Sequence, residues 1–419
     1  MMSRHLTART LLLVLFSIGL PAMLTAQVYF DSRQIDINPG LLMISQRSIL
    51  EIGAQADAAV YNSAFTIGEI LQPTWTIDLN EVYEESGPSG LQVGTTANAS
   101  ALTSLRLFGF GLGVYARANA RALLTLPQDL LQFVAEGNVE DYSGTGGVLI
   151  RATAEVGATL AIDVRGWTFG LGMGCSVPVA YSGDGGLNFN LETNESGFDA
   201  SADLDLELYS ALDLAAIQAG AMPDITSAIG RGAYKIDLGV VRWDEEVARW
   251  GVSLNDITIV RGRAPYAVRL TGSYSASMEN VLQGLIEDPN ASPVEFASED
   301  IELTTIEGAD RRITLAPGIS GFYRLSLPYI DITPHAELVV GRGVTAFSPG
   351  ITVSGNRFPT NLFYVGLGHS RPLWRAVAGL RLPLYVLELN AQVESNATRL
   401  FGLFSLEGLT AAVDLRIGF

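Results

Sequence analysis

The residues best suited by type and spacing to do chemistry are acidic. In "DLDLE", Asp203, Asp205 and Glu207 alternate with Leu204 and Leu206, so an extended chain stacks three carboxylates on one face. Such a row of oxygens suits calcium or another hard cation. The alternative is a ladder of ion pairs with arginines from neighbouring strands. Arg106, Arg117, Arg121 and Arg151 fall on polar phases, as do Glu155, Asp163 and Asp237. His335 shares a face with Glu337, but no serine or metal-ligand spacing accompanies the pair, which suits an interior hydrogen bond. His369 directly precedes Ser370, and adjacent strand residues face opposite ways, so the two are badly placed for proton transfer. There is no phosphate loop, Cys-x-x-Cys pair or dinucleotide fingerprint. Neither an enzymatic activity nor a cofactor or metal is expected.

The elements that carry these residues are strands. In "LIRATAEVGATLAIDV", Ile150, Ala152, Ala154, Val156, Ala158, Leu160, Ile162 and Val164 alternate with polar or small residues, among them Arg151, Glu155 and Asp163. After Arg165 and Gly166, "WTFGLGMGCSVPVAY" sets Trp167, Phe169, Leu171, Met173, Cys175, Val177 and Val179 against Gly170, Gly172, Gly174 and Pro178. The two runs read as one long hairpin with a Gly-containing turn. Similar runs cover 108–120, 202–208, 234–240, 250–254, 266–274 and 332–340. Longer insertions fall at 72–90, 127–147, 212–227 and 281–310, and "PQDLLQFVAEGN" and "SMENVLQGLIEDPN" carry helical spacing.

Residues 1–26 read as a secretory signal: Arg4 and Arg9 precede the apolar run Leu11 to Leu20, and Leu24-Thr25-Ala26 resembles a cleavage site. Gln27, not a cysteine, stands directly after that point, which argues against a lipid anchor. The formal net charge of −18 loses two arginines with the signal and becomes −20, a balance that makes nucleic acid a poor partner. Cys175 is the single cysteine, so burial and hydrogen bonding must hold an exported chain together without disulfides. No linker or composition break divides it.

Alternation of this kind fits a soluble sandwich with its apolar face inward or a membrane barrel with its apolar face toward lipid. Runs of about fifteen residues exceed soluble strands of about five or six. Glycines 109, 111, 113, 170, 172 and 174 on the polar face suit a crowded lumen. Trp167, Trp243, Trp250, Phe322, Tyr323 and Trp374 gather at strand ends, as an interfacial girdle requires. The expectation is therefore all-β: a single transmembrane antiparallel β-barrel of about 14 strands (12–16), with short loop helices. Arg106, Arg117, Arg151, Glu155, Asp163, Asp203, Asp205, Glu207, Asp237, His335 and Glu337 are its candidate lumen residues. An open lumen with this acidic balance would favour cations.

The terminal run "LTAAVDLRIGF" puts Leu409, Ala411, Val413, Leu415, Ile417 and Phe419 on one face. It resembles the signal that outer-membrane barrels present to the barrel-assembly machinery, with Phe419 as the terminal aromatic. "DINPG" and the stretch "IGRGAYKIDLGVVRW" with "WGVSLNDITIV" resemble the FadL-type and PorV-type superfamily, over residues 36–60 and 229–260. The resemblance implies a fourteen-stranded barrel in the outer membrane that handles hydrophobic compounds or secreted proteins. It also implies that residues 27–46 plug the lumen as a hatch before a barrel at 47–419. Asn38-Pro39 match the family's Asn-Pro-Ala motif; Gly40 departs from it, and Asn-Pro is also a common turn dipeptide. The expected partners are outer-membrane lipids, the assembly machinery and hydrophobic small-molecule cargo. A plugged structural, adhesin or secretion-associated barrel is the other reading.

Overall fold

The computed structural model describes residues 38–45, 49–66, 79–86, 90–136, 141–194, 197–244, 247–278, 295–298, 302–341, 344–357, 360–370, 373–384 and 386–419. The signal segment, most of the 27–46 segment and most of "SMENVLQGLIEDPN" lie outside them. Nineteen strands make up the main sheet among the described residues, and sixteen of them have six residues or more: β1 (Leu50–Asn62), β2 (Leu91–Leu107), β3 (Phe110–Leu126), β4 (Tyr142–Val164), β5 (Trp167–Asn194), β6 (Gly197–Ser210), β7 (Ala233–Asp244) and β8 (Val247–Val260) in the first half. The second half holds β9 (Tyr266–Met278), β10 (Gly318–Tyr323), β11 (Ile330–Gly341), β12 (Val344–Gly355), β13 (Phe363–Ser370), β14 (Leu373–Leu384), β15 (Leu387–Ala397) and β16 (Gly408–Gly418).

Every pairing is antiparallel, and β16 closes on β1 from Glu51↔Gly418 to Tyr61↔Gly408. Phe419 completes the seam: its N–H donates to the Leu50 carbonyl at 2.8 Å, and its own carbonyl accepts from Leu50 N at 3.2 Å. Alternation sorts the wall as expected. Leu112, Val114, Phe169, Leu171, Met173, Leu238, Val252, Val365, Val413 and Leu415 stand exposed outside, while Thr168, Lys235, Asp237, Ser253 and Ser320 are buried within. An apolar exterior around a polar interior is the architecture of a transmembrane barrel. Among the described residues no helix is long and apolar enough to cross a membrane.

Sixteen strands stand where about fourteen are expected, because β5 forks: fourteen close the ring and two, β6 and β9, rise beside it. The lower half of β5, Trp167 to Ser176, pairs with β7; its upper half, from Tyr181, pairs with β6. β6 then pairs with β9, and β9 with the short strands Glu302–Ile306 and Glu295–Ser298. The ring that closes runs β1-β2-β3-β4-β5-β7-β8-β10-β11-β12-β13-β14-β15-β16, and β6 and β9 rise from it as an extension. Pro178 sits at the fork. A proline has no N–H to give the ladder and is confined to edges and bulges; here the register shifts between Ala152↔Ala180 and Thr153↔Pro178, and the Pro178 carbonyl accepts from Ala211 N at 2.8 Å.

Two further irregularities shape the wall. Asn255 and Asp256 together oppose Asp237, because Ile236 pairs with Ile257 while Leu238 pairs with Leu254. Asp256 takes φ 57° there, so β8 carries a bulge that re-aims one side chain. β10 is only six residues long, and above Gly318 neither Asn255 onward in β8 nor Val339 onward in β11 has a strand between them. The helices Leu79–Ser86, Gln128–Glu136, Leu214–Gln218 and Ile225–Gly230 all lie in the longer connections; the second matches the helical spacing of its sequence.

The sorted wall predicts a position-dependent cost for charge. Val413→Arg, midway along β16, should lower stability by about 2–4 kcal/mol, whereas Leu409→Arg at its upper end should cost about 0–1 kcal/mol. Equilibrium unfolding in lipid vesicles checks the difference, and equal costs would contradict a lipid-facing wall.

Candidate functional site

The lower lumen is occupied by the chain's own N-terminal segment. Pro39–Leu41 form a single 3₁₀ turn, continued by the helix Leu42–Ser45. Asn38 caps it: Oδ1 accepts from Gly40 N at 2.9 Å, with Pro39 in the first helical position, a pairing that favours turn initiation. The same side chain ties the turn to the wall, because Nδ2 donates to the carbonyls of Val240 in β7 (3.3 Å) and Val252 in β8 (3.1 Å). Leu41, Leu42 and Met43 pack with Ala161, Val241, Ala248 and Phe322. Asn38, Leu41 and Leu42 are fully buried.

Glycine makes the seat. A Cβ on Gly170 would stand 2.2 Å from Gly40 N, one on Gly239 2.0 Å from Asn38 Oδ1, and one on Gly111 2.8 Å from the Met43 sulfur. Gly113 and Gly251 border the same segment. The polar-face glycines of the sequence thus leave room for six residues of chain.

Above the plug lies a charge network. Lys235 Nζ is 2.7 Å from Asp256 Oδ1, 3.0 Å from Glu155 Oε1 and 3.3 Å from Asp237 Oδ2. Glu155 also accepts from Tyr115 Oη at 2.9 Å and lies 3.7 Å from Arg117. Lys235 and Glu155 are separated by a whole strand, β5, and the register shows how they meet: Tyr115, Gly157, Gly174 and Lys235 lie in one row across β3, β4, β5 and β7. The Tyr115 ring covers Gly157, where a Cβ would sit 2.4 Å from it, and a Cβ on Gly174 would crowd Tyr115 Oη, Glu155 Oε1 and Lys235 Cε together. Large side chains laid over cross-strand glycines recur at Tyr61 over Gly94, Tyr364 over Gly379 and His335 over Gly350, a device that covers exposed backbone and pins register. The Asp256 bulge completes the network, since Asp256 N donates to Asp237 Oδ1 at 2.7 Å.

Of the candidate lumen residues, the structure brings Arg117, Glu155 and Asp237 together, and Glu337 lies within electrostatic reach of Asp256 and Arg375. His335 Nδ1 contacts the Thr333 carbonyl at 3.2 Å. His369 stacks edge-on with Trp374 at 4.8 Å, away from the network. Asp163 lies at the lower turn, accepting from Trp243 Nε1 at 3.1 Å and Gly166 N at 3.3 Å. Arg106 is half-buried opposite Gly111, and Arg151 sits over the Tyr181 ring at 4.9 Å.

The acidic row belongs to the extension and meets the arginine side of the alternatives drawn from sequence. Arg269 grips both oxygens of Asp205, with Nε at 2.7 Å from Oδ1, and Tyr209 Oη donates to Glu207 at 2.7 Å, while Asp203 is exposed. The guanidinium bonded to it holds the Asp205 carboxyl below the usual carboxylate range. Among the described residues no cluster of acids, histidines and cysteine has the arrangement of a metal site. Sequence reasoning passed over Lys235, Tyr115 and Asp256. Lys235 shares the phase of Asp237 and was readable in "AYKIDLG"; Asp256 depends on a bulge that alternation does not show.

No protein-family model and no curated protein matches the chain. Among solved structures, the P. putida toluene transporter TodX is 8% identical over 91% of this chain and 92% of its own, with a TM-score of 0.41. The CymD monoaromatic hydrocarbon channel is 9% identical over 94% and 95%, at 0.29. The translocator domain of the autotransporter NalP from Neisseria meningitidis is 9% identical over 94% and 100%, at 0.31. These three likenesses are distant.

Lys235 is shared by three acids, so Lys235→Met leaves the buried Glu155 and Asp237 and the partly exposed Asp256 without their common cation. The expected loss is about 3–5 kcal/mol, part of it recovered by adding Glu155→Gln. Denaturant midpoints in detergent check both; additive losses would show the four groups to be uncoupled.

Proposed function

We propose that the chain is an outer-membrane barrel that passes small or hydrophobic molecules passively, with the segment around Asn38 acting as a removable plug. The observation that supports this most is the plug's attachment. Six residues fill a glycine-lined seat inside a closed ring, and Asn38 ties them to the wall through two side-chain bonds, to the carbonyls of Val240 and Val252. A seat of this kind permits withdrawal without breaking a ladder hydrogen bond of the wall.

Two features bear on what would pass. The acid-rich lumen network favours cations over anions. For apolar cargo, the interval above Gly318 offers a lateral way out, because no strand fills it and it is bridged by Leu315 N donating to the Thr258 hydroxyl at 3.2 Å and Val340 N donating to the Pro317 carbonyl at 2.9 Å. Ile259, Val260, Ile319 and Val340 border it with exposed apolar side chains. Openings of low cost fall where stabilising bonds are sparse. Toluene, named as the cargo of TodX, is a suitable first probe. In this reading residues 1–26 direct export, Phe419 serves the assembly machinery, and membrane lipid surrounds the wall.

The second reading is a filled barrel that acts through its upper loops as an adhesin or secretion component. The tall β5-β6-β9 extension favours it, since it raises a surface above the wall that a simple pore does not need.

The experiment is efflux from liposomes loaded with potassium or with toluene. Asn38→Ala removes the wall bonds, a loss of about 1–3 kcal/mol, and 1–2 kcal/mol of that multiplies the unplugged fraction roughly 5–30-fold. Passage by way of the plug predicts a rise of that order for at least one probe. A folded variant with wild-type efflux of both would favour the filled barrel.

A further inference from the structure

On β5 the outward residues Phe169, Leu171 and Met173 are exposed, as lipid-facing residues should be, but the next one up, Cys175, is buried. What covers it is the connection between β6 and β7. Ala228 of the helix Ile225–Gly230 packs with Cys175, Val177 and Ala211; the Ile229 carbonyl accepts from Cys175 Sγ at 3.4 Å and from Tyr234 Oη at 3.3 Å. One step further along, Leu214 and Ala215 of the helix Leu214–Gln218 pack on the outward leucines of the extension, Leu206, Leu208 and Leu270. Arg231 clamps the far end, with Nη1 donating to the Ala211 carbonyl at 2.9 Å and its guanidinium 5.0 Å over the Tyr266 ring. The connection therefore lies against the outside of the barrel, not over its mouth.

Its height can be estimated from the wall. Trp167 lies at the lower girdle, in edge contact with Trp250. Cys175 is eight residues above it, about 26 Å along the strand at ~3.3 Å per residue and about 20 Å along the barrel axis for a tilt of ~40°. The apolar band of such barrels is about 25 Å tall. The helix on Cys175 thus sits at the band's upper margin.

At that level it turns apolar groups away from the protein. Met222 is 95% exposed, Ile225 64% and Ile229 36%, beside Tyr234 on the wall itself. Residues 212–230 contain no lysine or arginine; their two acids, Asp213 and Asp224, cap the two helices by accepting from Ala216 N and Ser227 N. We propose that residues 212–230 form a flange that lies in the upper membrane interface, with Met222, Ile225 and Ile229 seated among lipid acyl chains. The partner is lipid because the flange is continuous with the lipid-facing wall: Ile229 is bonded to Tyr234, which stands in line with Ile236 and Leu238 below it. The flange would seal the point where β5 forks, where neither β6 nor β7 can complete the wall against lipid, and it rests on the reading of the chain as a membrane barrel.

Single nitroxides at Met222→Cys, Ile225→Cys, Met173→Cys and Glu307→Cys, each with Cys175→Ser, test this in protein refolded into lipid vesicles. The readout is collision with oxygen, which concentrates in lipid, against a water-soluble nickel chelate. Met173 reports the wall and the exposed Glu307 the aqueous side. The flange predicts an oxygen-to-chelate ratio at Met222 and Ile225 several-fold above that at Glu307 and below that at Met173. Ratios matching Glu307, with Met173 reading lipid, would overturn the flange and leave the barrel standing. Labels shielded from both reagents would also overturn it, in favour of a protein partner or second copy. An aqueous reading at Met173 would instead sink the membrane reading beneath it.

Discussion

In a bilayer no water is available to satisfy a backbone amide, so a sheet that crosses must close on itself. The pairing of β16 with β1, carried to the last residue by Phe419 and Leu50, meets that demand, and the rest of the molecule is arranged around it. Departures from the ladder are each covered or bridged. Pro178 stands at the upper end of the apolar band, under cover of the β6–β7 connection. The Asp256 bulge turns into the lumen, where Asp237 receives its N–H. β10 ends at a level where the segment before it still bridges β8 and β11.

Closure also sets the terms for the interior. A ring of this size cannot be filled by wall side chains of ordinary length unless some lie flat and others are absent, and the sequence supplies both. Tyrosines lie across glycines on the neighbouring strand, and glycine rows leave a seat for residues 38–43. Lys235 reaches Glu155 only because Gly174 stands between them. Removing charges from water is costly unless each is paired with good geometry, and here one lysine, one arginine and a phenol share three carboxylates. Glycines at two levels of one strand, Gly170 and Gly174 in β5, thus admit the plug and the network above it.

The alternation that made the barrel legible is a local property: each strand's own side chains report which face meets lipid, and Leu112, Met173 and Val413 lie where their phase put them. Pairing partners are not local. β6 and β9 alternate as cleanly as any ring strand, and only their neighbours show that they rise out of the ring, so a count from pattern alone does not separate the fourteen ring strands from the two beside them. Pro178 was visible as a residue without a donor in mid-strand, yet its meaning needed the position of Ala211. Within the site, Glu155 and Asp237 were readable from phase, while Asp256 became a neighbour of Lys235 through a positive φ that a non-glycine residue seldom adopts. Asn38-Pro39 offered a turn or a hatch anchor, and the geometry shows an asparagine that both caps a turn and bonds the wall.

The central claim is that a closed barrel carries a withdrawable plug made of its own N-terminal segment. Single-channel conductance in a planar bilayer tests it most directly, comparing the chain with and without residues 27–46 after both have been shown to fold. The account predicts small or rare openings for the intact chain and larger, steady, cation-selective ones once the segment is gone. Equal conductance from the two, or silence from both, would contradict it.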